Sequence, residues 1–169
     1  MIVFIAGATH TGKTALAQKL LTKYKMPYLS IDHLKMGLIR SGLTSLTPYD
    51  DEKLTAHLWP IVREMAKTAL ENGQNLIIEG CYIPFTWQDD FSAEELSQIK
   101  YYCLIMSKAY IENNFSQIIA HESVIEKRKE SDCTFDALIR ENARNLAACK
   151  QHALPYILID AEYKVEIEL

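Results

Sequence analysis

Paired cysteines at metal spacing, membrane-length apolar runs and a surplus of positive charge are all missing from this chain. The four cysteines, Cys81, Cys103, Cys133 and Cys149, stand far apart with no CxxC, and the five histidines show no paired spacing. Both absences argue against a structural zinc site. The cysteines mostly occupy apolar surroundings, so they read as free buried thiols of a reducing compartment, and the expected location is cytoplasmic. No apolar run approaches the ~18 residues of a membrane span, and the opening residues lack the basic segment of a secretory leader. Lys and Arg number 18 against 22 Asp and Glu, for a net charge of −4 and a pI near 5.7. That balance predicts neither a nucleic-acid surface nor an anionic-membrane surface. Repeats, low-complexity tracts and Gly/Ser linkers are also absent, so residues 1–169 read as one domain.

Glycine is scarce as well, six residues in all, yet two of the six fall in one short segment. Gly7-Ala8-Thr9-His10-Thr11-Gly12-Lys13-Thr14 fits GxxxxGK[ST] and follows the apolar run Ile2-Val3-Phe4-Ile5-Ala6. The glycines let the backbone turn tightly and aim several N–H groups at one phosphate. A helix patterned on Ala15 to Leu21 adds its positive dipole end to the same spot. Lys13 can reach the outer phosphates, and the Thr14 hydroxyl can ligate Mg²⁺. The segment reads as a phosphate-binding loop for a nucleoside triphosphate.

Short apolar runs alternate with helical patterns along the rest of the chain. Strands are expected at residues 28–31, 75–79, 101–106 and 156–160. Asp32 is placed to cap a helix running to about Arg40. A long helical region from Thr47 to about Glu71 contains Pro60, which predicts a kink or a second helix start. Strands apolar on both faces and separated by helices imply a parallel sheet covered on both sides. Ligands of such sheets bind at the carboxyl ends of the strands.

Polar residues at that edge are therefore the candidates for chemistry. Asp32, after the second strand, is placed to accept a proton from a substrate hydroxyl, and it also suits a helix N-cap. Glu79 ends the third strand opposite the phosphate loop, where a carboxylate can hold a metal-bound water or orient the acceptor. The aromatic loop from Cys81 to Trp87 could wall a substrate pocket or cover the end of the sheet. Residues 122–132 form a charged, lid-like stretch containing Arg128. A following helix carries Arg140 and Arg144 one turn apart. Guanidinium groups suit the charge that develops in phosphoryl transfer.

With the loop at the amino end, Asp32, Glu79-Gly80 and late arginines in this order, the chain resembles the small P-loop kinases. These include nucleoside monophosphate kinases, shikimate and gluconate kinases, chloramphenicol phosphotransferase and zeta toxins. The resemblance implies an α/β/α P-loop fold with a five-stranded parallel sheet ordered 2-3-1-4-5. It also implies ATP as donor, Mg²⁺ held through Thr14 and Glu79, and a small helical lid. Asp32 is similar to the general base of members that phosphorylate an alcohol. Residues 76–84 are similar to the matching stretch of 2-phosphoglycerate kinases. The helix from Ile111 to Ile119 lacks the arginine that adenylate kinases stack on adenine. After the second strand, only Lys35 and Arg40 are near where a monophosphate-binding arginine is usual. These departures favour a small-molecule phosphate acceptor over a nucleoside monophosphate, with Lys35 or Arg40 meeting an anionic group on it. A regulatory nucleotide switch is the reading from another class, but the chain has neither NKxD nor a DxxG after the third strand.

Overall fold

The structure is a computed structural model that describes residues 1–121 and 133–169. The elements in chain order are β1 (Ile2–Gly7), α1 (Lys13–Tyr24), β2 (Tyr28–Ser30), α2 (Ile31–Arg40) and α3 (Asp51–Glu71). They continue with β3 (Leu76–Glu79), α4 (Ala93–Leu96), β4 (Ile99–Met106), α5 (Lys108–Ala120), α6 (Phe135–Gln151) and β5 (Tyr156–Ile159). The strands form one parallel sheet in the order β2-β3-β1-β4-β5, as the sequence reading expects.

β1 lies at the centre and is buried along its whole length. Successive side chains of a strand point to opposite faces, and β1 feeds two cores in that way. Ile2, Phe4 and Ala6 join one cluster with Leu54, Leu58 and Val62 of α3. Val3 and Ile5 join the other with Leu16 and Leu20 of α1 and Ile111 and Ile118 of α5. α6 serves both, sending Cys149 to the first cluster and Leu138 to the second. Asn142 of α6 fastens the carboxyl end of β4, because its side-chain carbonyl accepts from the Met106 amide at 2.8 Å.

Two details differ from the sequence reading. α3 is a single helix with Pro60 inside it, so no second helix starts there. Both Pro60 and Ala56, whose carbonyl loses its usual donor, are exposed, so water can satisfy the freed group. Asp32 does not cap α2. Ser30 holds the N-cap position and Asp32 lies within the first turn, which places its carboxylate beside the positive helix end. The aromatic loop divides between its two expected roles. Trp87 is buried against Phe4, Phe91 and Tyr101 as core cover, while Tyr82 turns toward the carboxyl edge of the sheet. The expected lid at residues 122–132 and its Arg128 lie outside the described residues.

Candidate active site

The site begins where β1 stops. Gly7 has φ +141°, and a Cβ there would lie 2.5 Å from the Leu104 carbonyl oxygen of β4. Only glycine lets the chain leave the sheet at that point. The loop then closes on itself. The Thr11 hydroxyl donates to the Ala8 carbonyl at 2.9 Å, and Lys13 Nζ donates to the same oxygen at 2.8 Å. Thr9 Oγ1 and His10 Nδ1 are 2.9 Å apart. Gly12, at φ +84°, leads into α1, so the loop ends on the amino-terminal dipole of a 12-residue helix.

The parallel register sets the next pieces. Glu79 is paired with Ile5 of β1 on one side and Ser30 of β2 on the other. The Thr14 hydroxyl donates to Glu79 Oε1 at 3.1 Å, tying the first turn of α1 to the end of β3. Glu79 is 1% exposed. Burial pushes its carboxyl above the usual carboxylate range, against the opposing pull of Lys13, Ser30 and Thr14. The Ser30 hydroxyl is buried beside Glu79 without completing a well-formed hydrogen bond.

Lys13 is 7% exposed. Burial alone would lower the pKa of its ammonium, but Cys81, Glu79 and Asp32 outweigh that and hold it above the ordinary lysine value. Cys81 is exposed as a residue, yet desolvation at its thiol raises the pKa, with Lys13 opposing. Cys81 is therefore a thiol at neutral pH, and the charge that supports Lys13 there comes from Glu79 and Asp32. Both candidate carboxylates thus act on the one lysine of the phosphate loop.

Asp32 also anchors a side-chain network on the other side of the site. Lys35 Nζ lies 2.5 Å from Asp32 Oδ1 and donates to the Tyr82 hydroxyl at 3.0 Å. Its ammonium stands 5.0 Å from the centre of the Tyr82 ring. The Tyr82 hydroxyl in turn donates to Asp51 Oδ1 at 3.1 Å. One chain of contacts therefore links α2, the loop after β3 and the start of α3.

Of the candidate residues, the structure brings together the loop Gly7–Thr14, Asp32, Lys35 and Glu79. Arg40 is exposed at the last turn of α2. Arg140 and Arg144 are exposed on α6 and make no hydrogen bond or ion pair to the loop among the described contacts. The α6 charge that reaches the site is Glu141, felt at Cys81. Sequence reasoning missed Asp51, which it did not single out, and Tyr163, whose hydroxyl reaches the loop at Thr11. Tyr163 follows β5 at the same carboxyl edge that singles out the other candidates, and that placement was the available signal.

The donor set suits magnesium. Thr14 and Glu79 present oxygen ligands 3.1 Å apart, and the Ser30 hydroxyl beside them is unsatisfied. Mg²⁺ takes few protein ligands and completes its shell with phosphates and water. Among the described residues no group of three or more His, Cys, Asp or Glu forms a metal cage, and such a cation does not require one.

The buried Glu79 carboxyl has a consequence for stability. Its pKa is raised on folding, so the native chain holds that proton more tightly than the unfolded chain. Its contribution is present below the ordinary carboxylate range and is lost as pH rises through the folded value. In nucleotide-free protein, the Tm difference between Glu79→Gln and wild type should therefore become more positive from about pH 4 to about pH 8. A difference that stays flat across that range in thermal melts contradicts the assignment.

No protein-family model matches the sequence, and no curated protein matches it either. Solved structures do. A shikimate kinase from Bacteroides thetaiotaomicron aligns with a TM-score of 0.59 at 16% identity, over 95% of this chain and 86% of that one. A deoxyadenosine kinase from M. mycoides aligns with a TM-score of 0.56 at 13% identity, over 95% and 91%. A sugar kinase from Janibacter sp. HTCC2649 gives 0.52 at 18% identity, over 94% and 84%. The chain therefore has the three-layer α/β/α fold of the P-loop kinases. Among the described residues, no helix is long and apolar enough to cross a membrane.

Proposed function

We propose that this chain is an ATP-dependent phosphotransferase that moves the γ-phosphoryl group to a hydroxyl of a small metabolite. The observation that carries the reading is the placement of Glu79 and Asp32 at the carboxyl edge of neighbouring strands beside the loop: the Thr14 hydroxyl donates to Glu79 at 3.1 Å, and Asp32 follows Ser30, the register partner of Glu79, by two residues. The loop amides and Lys13 hold the β- and γ-phosphates. When ATP arrives, Lys13 exchanges the Ala8 carbonyl for phosphate oxygens, which are stronger, charged acceptors. Mg²⁺, held through Thr14 and Glu79, would supply neutralisation of the phosphate charge. Asp32 accepts the proton of the acceptor hydroxyl as its oxygen bonds to the γ-phosphorus. The bond to the bridging oxygen then breaks and ADP leaves with those electrons.

Lys35 orients Asp32. An ammonium has three N–H donors, and two of those on Lys35 are used by Asp32 and Tyr82. The third is offered to an anionic group of the acceptor. The fold neighbours are consistent with this chemistry, since those reported above are named as kinases. The acceptor is identified by ADP release, measured with a coupled assay over a panel of hydroxyl-bearing metabolites and nucleoside monophosphates. Stimulation by an alcohol, with none by any monophosphate, is the expected result. Stimulation by a monophosphate alone moves the chain to the nucleoside monophosphate kinases. GTP-selective binding without transfer to anything would make it a switch.

A further inference from the structure

After β5 the chain runs through residues 160–169 without regular secondary structure; residues 160–163 are exposed, and from Lys164 onward the side chains alternate with the period of a strand. Val165 is buried and Ile167 and Leu169 are half-buried, while Lys164, Glu166 and Glu168 are exposed. The inward set joins the core cluster that holds Leu16, Ala17 and Leu20 of α1. The far end of the segment is tied to that helix and the near end to the loop just before it. At the far end Glu168 takes Lys23 Nζ and the Tyr24 hydroxyl, each at 2.5 Å, and the Leu169 amide donates to the Tyr24 oxygen at 3.3 Å. At the near end the Tyr163 hydroxyl donates to the Thr11 carbonyl at 3.1 Å. The lengths agree. Twelve helical residues span about 18 Å, and five extended steps from residue 163 to 168 span about 17 Å. The segment is a strap laid along α1 from its first turn to its last.

The near end of that strap touches the phosphate loop at its most constrained point. Gly12 is left-handed, and a Cβ on it would stand 1.8 Å from the Tyr163 oxygen. The carbonyl and N–H of a trans peptide point in opposite directions. Because Tyr163 holds the Thr11 carbonyl, the Gly12 N–H of the same peptide is turned away from the strap.

We propose that Tyr163 is a positioning residue that fixes the Thr11–Gly12 peptide for phosphate binding, with the strap as its support. The inference rests on the nucleotide-binding reading above. Its ligand does not touch Tyr163 in this account. The hydroxyl acts through the loop, and the packing of residues 165–169 brings the ring to its place.

The test is a full-length Tyr163→Phe protein, which keeps the ring and the packing of the strap and removes the donor. Three quantities are compared with wild type: MgATP affinity by calorimetry, amide exchange at Gly12 and Lys13 without nucleotide, and the Tm. Loss of one hydrogen bond of ordinary strength should raise the MgATP Kd about three- to tenfold. Exchange at the two amides should quicken, while the Tm stays near wild type. Unaltered Kd and exchange overturn the inference, and so does a lowered Tm with both of them unaltered, since that is a structural tie alone. Should the wild type bind no MgATP, the kinase reading fails by itself, and the exchange comparison still decides whether Tyr163 holds the loop.

Discussion

A Lys13→Met protein is expected to fold and to release ADP in the presence of acceptor about 10³-fold more slowly than wild type. The reasoning starts from burial. Lys13 is 7% exposed, so methionine, similar in volume and unbranched, fills its place without a large cavity. What disappears is the ammonium, the one positive side chain of the loop Gly7–Thr14. Its charge acts at short range in a site poor in water, where an electrostatic contact is worth far more than at the surface. The loss should fall on turnover as well as on nucleotide affinity, because negative charge at the γ-phosphate redistributes during transfer. Glu79 also loses its main compensating charge, which should raise its pKa further and weaken its hold on magnesium. A Lys13→Met protein that turns over within tenfold of wild type removes the loop from the mechanism.

Asp32→Asn is the second large effect. The expected outcome is a loss of about 10²- to 10⁴-fold in kcat with MgATP affinity unchanged, the range for removal of a general base. Asparagine preserves the shape of the first turn of α2 and its contact with Lys35, but it cannot take the acceptor's proton. The same variant separates the acceptor classes. A phosphate oxygen needs no base, so a near-normal kcat in Asp32→Asn would favour a nucleoside monophosphate as acceptor.

The most legible parts of this protein are those whose physics is local. Gly7 to Thr14 can be recognised because turn, helix start and cation must stand at fixed spacing. Glu79 is legible because a carboxylate ending an apolar strand at the carboxyl edge has few other uses. The sheet order is implied by the family likeness. Asp32 is placed at the right edge, but its role as cap or first-turn residue depends on a two-residue shift of the helix start, which Ser30 decides. Pro60 is misleading because its consequence depends on which face of α3 is wet. Tyr82 and Trp87, five positions apart in one loop, go to the site and to the core, and only the packing of Phe4 and Phe91 separates them. Tyr163 depends on a tertiary contact 152 residues away in the chain; its place after β5 marks the edge but not the partner.

The central claim is that the loop at residues 7–14 binds a magnesium nucleotide through Lys13. Calorimetric titration of the wild-type protein with ATP in the presence of magnesium tests it most directly. The account predicts saturable one-to-one binding with a Kd in the range of about 1 μM to 1 mM usual for enzyme substrates, greatly weakened by Lys13→Met and by chelation of the metal. No heat of binding in the wild type, or equal binding by wild type and Lys13→Met, would contradict it.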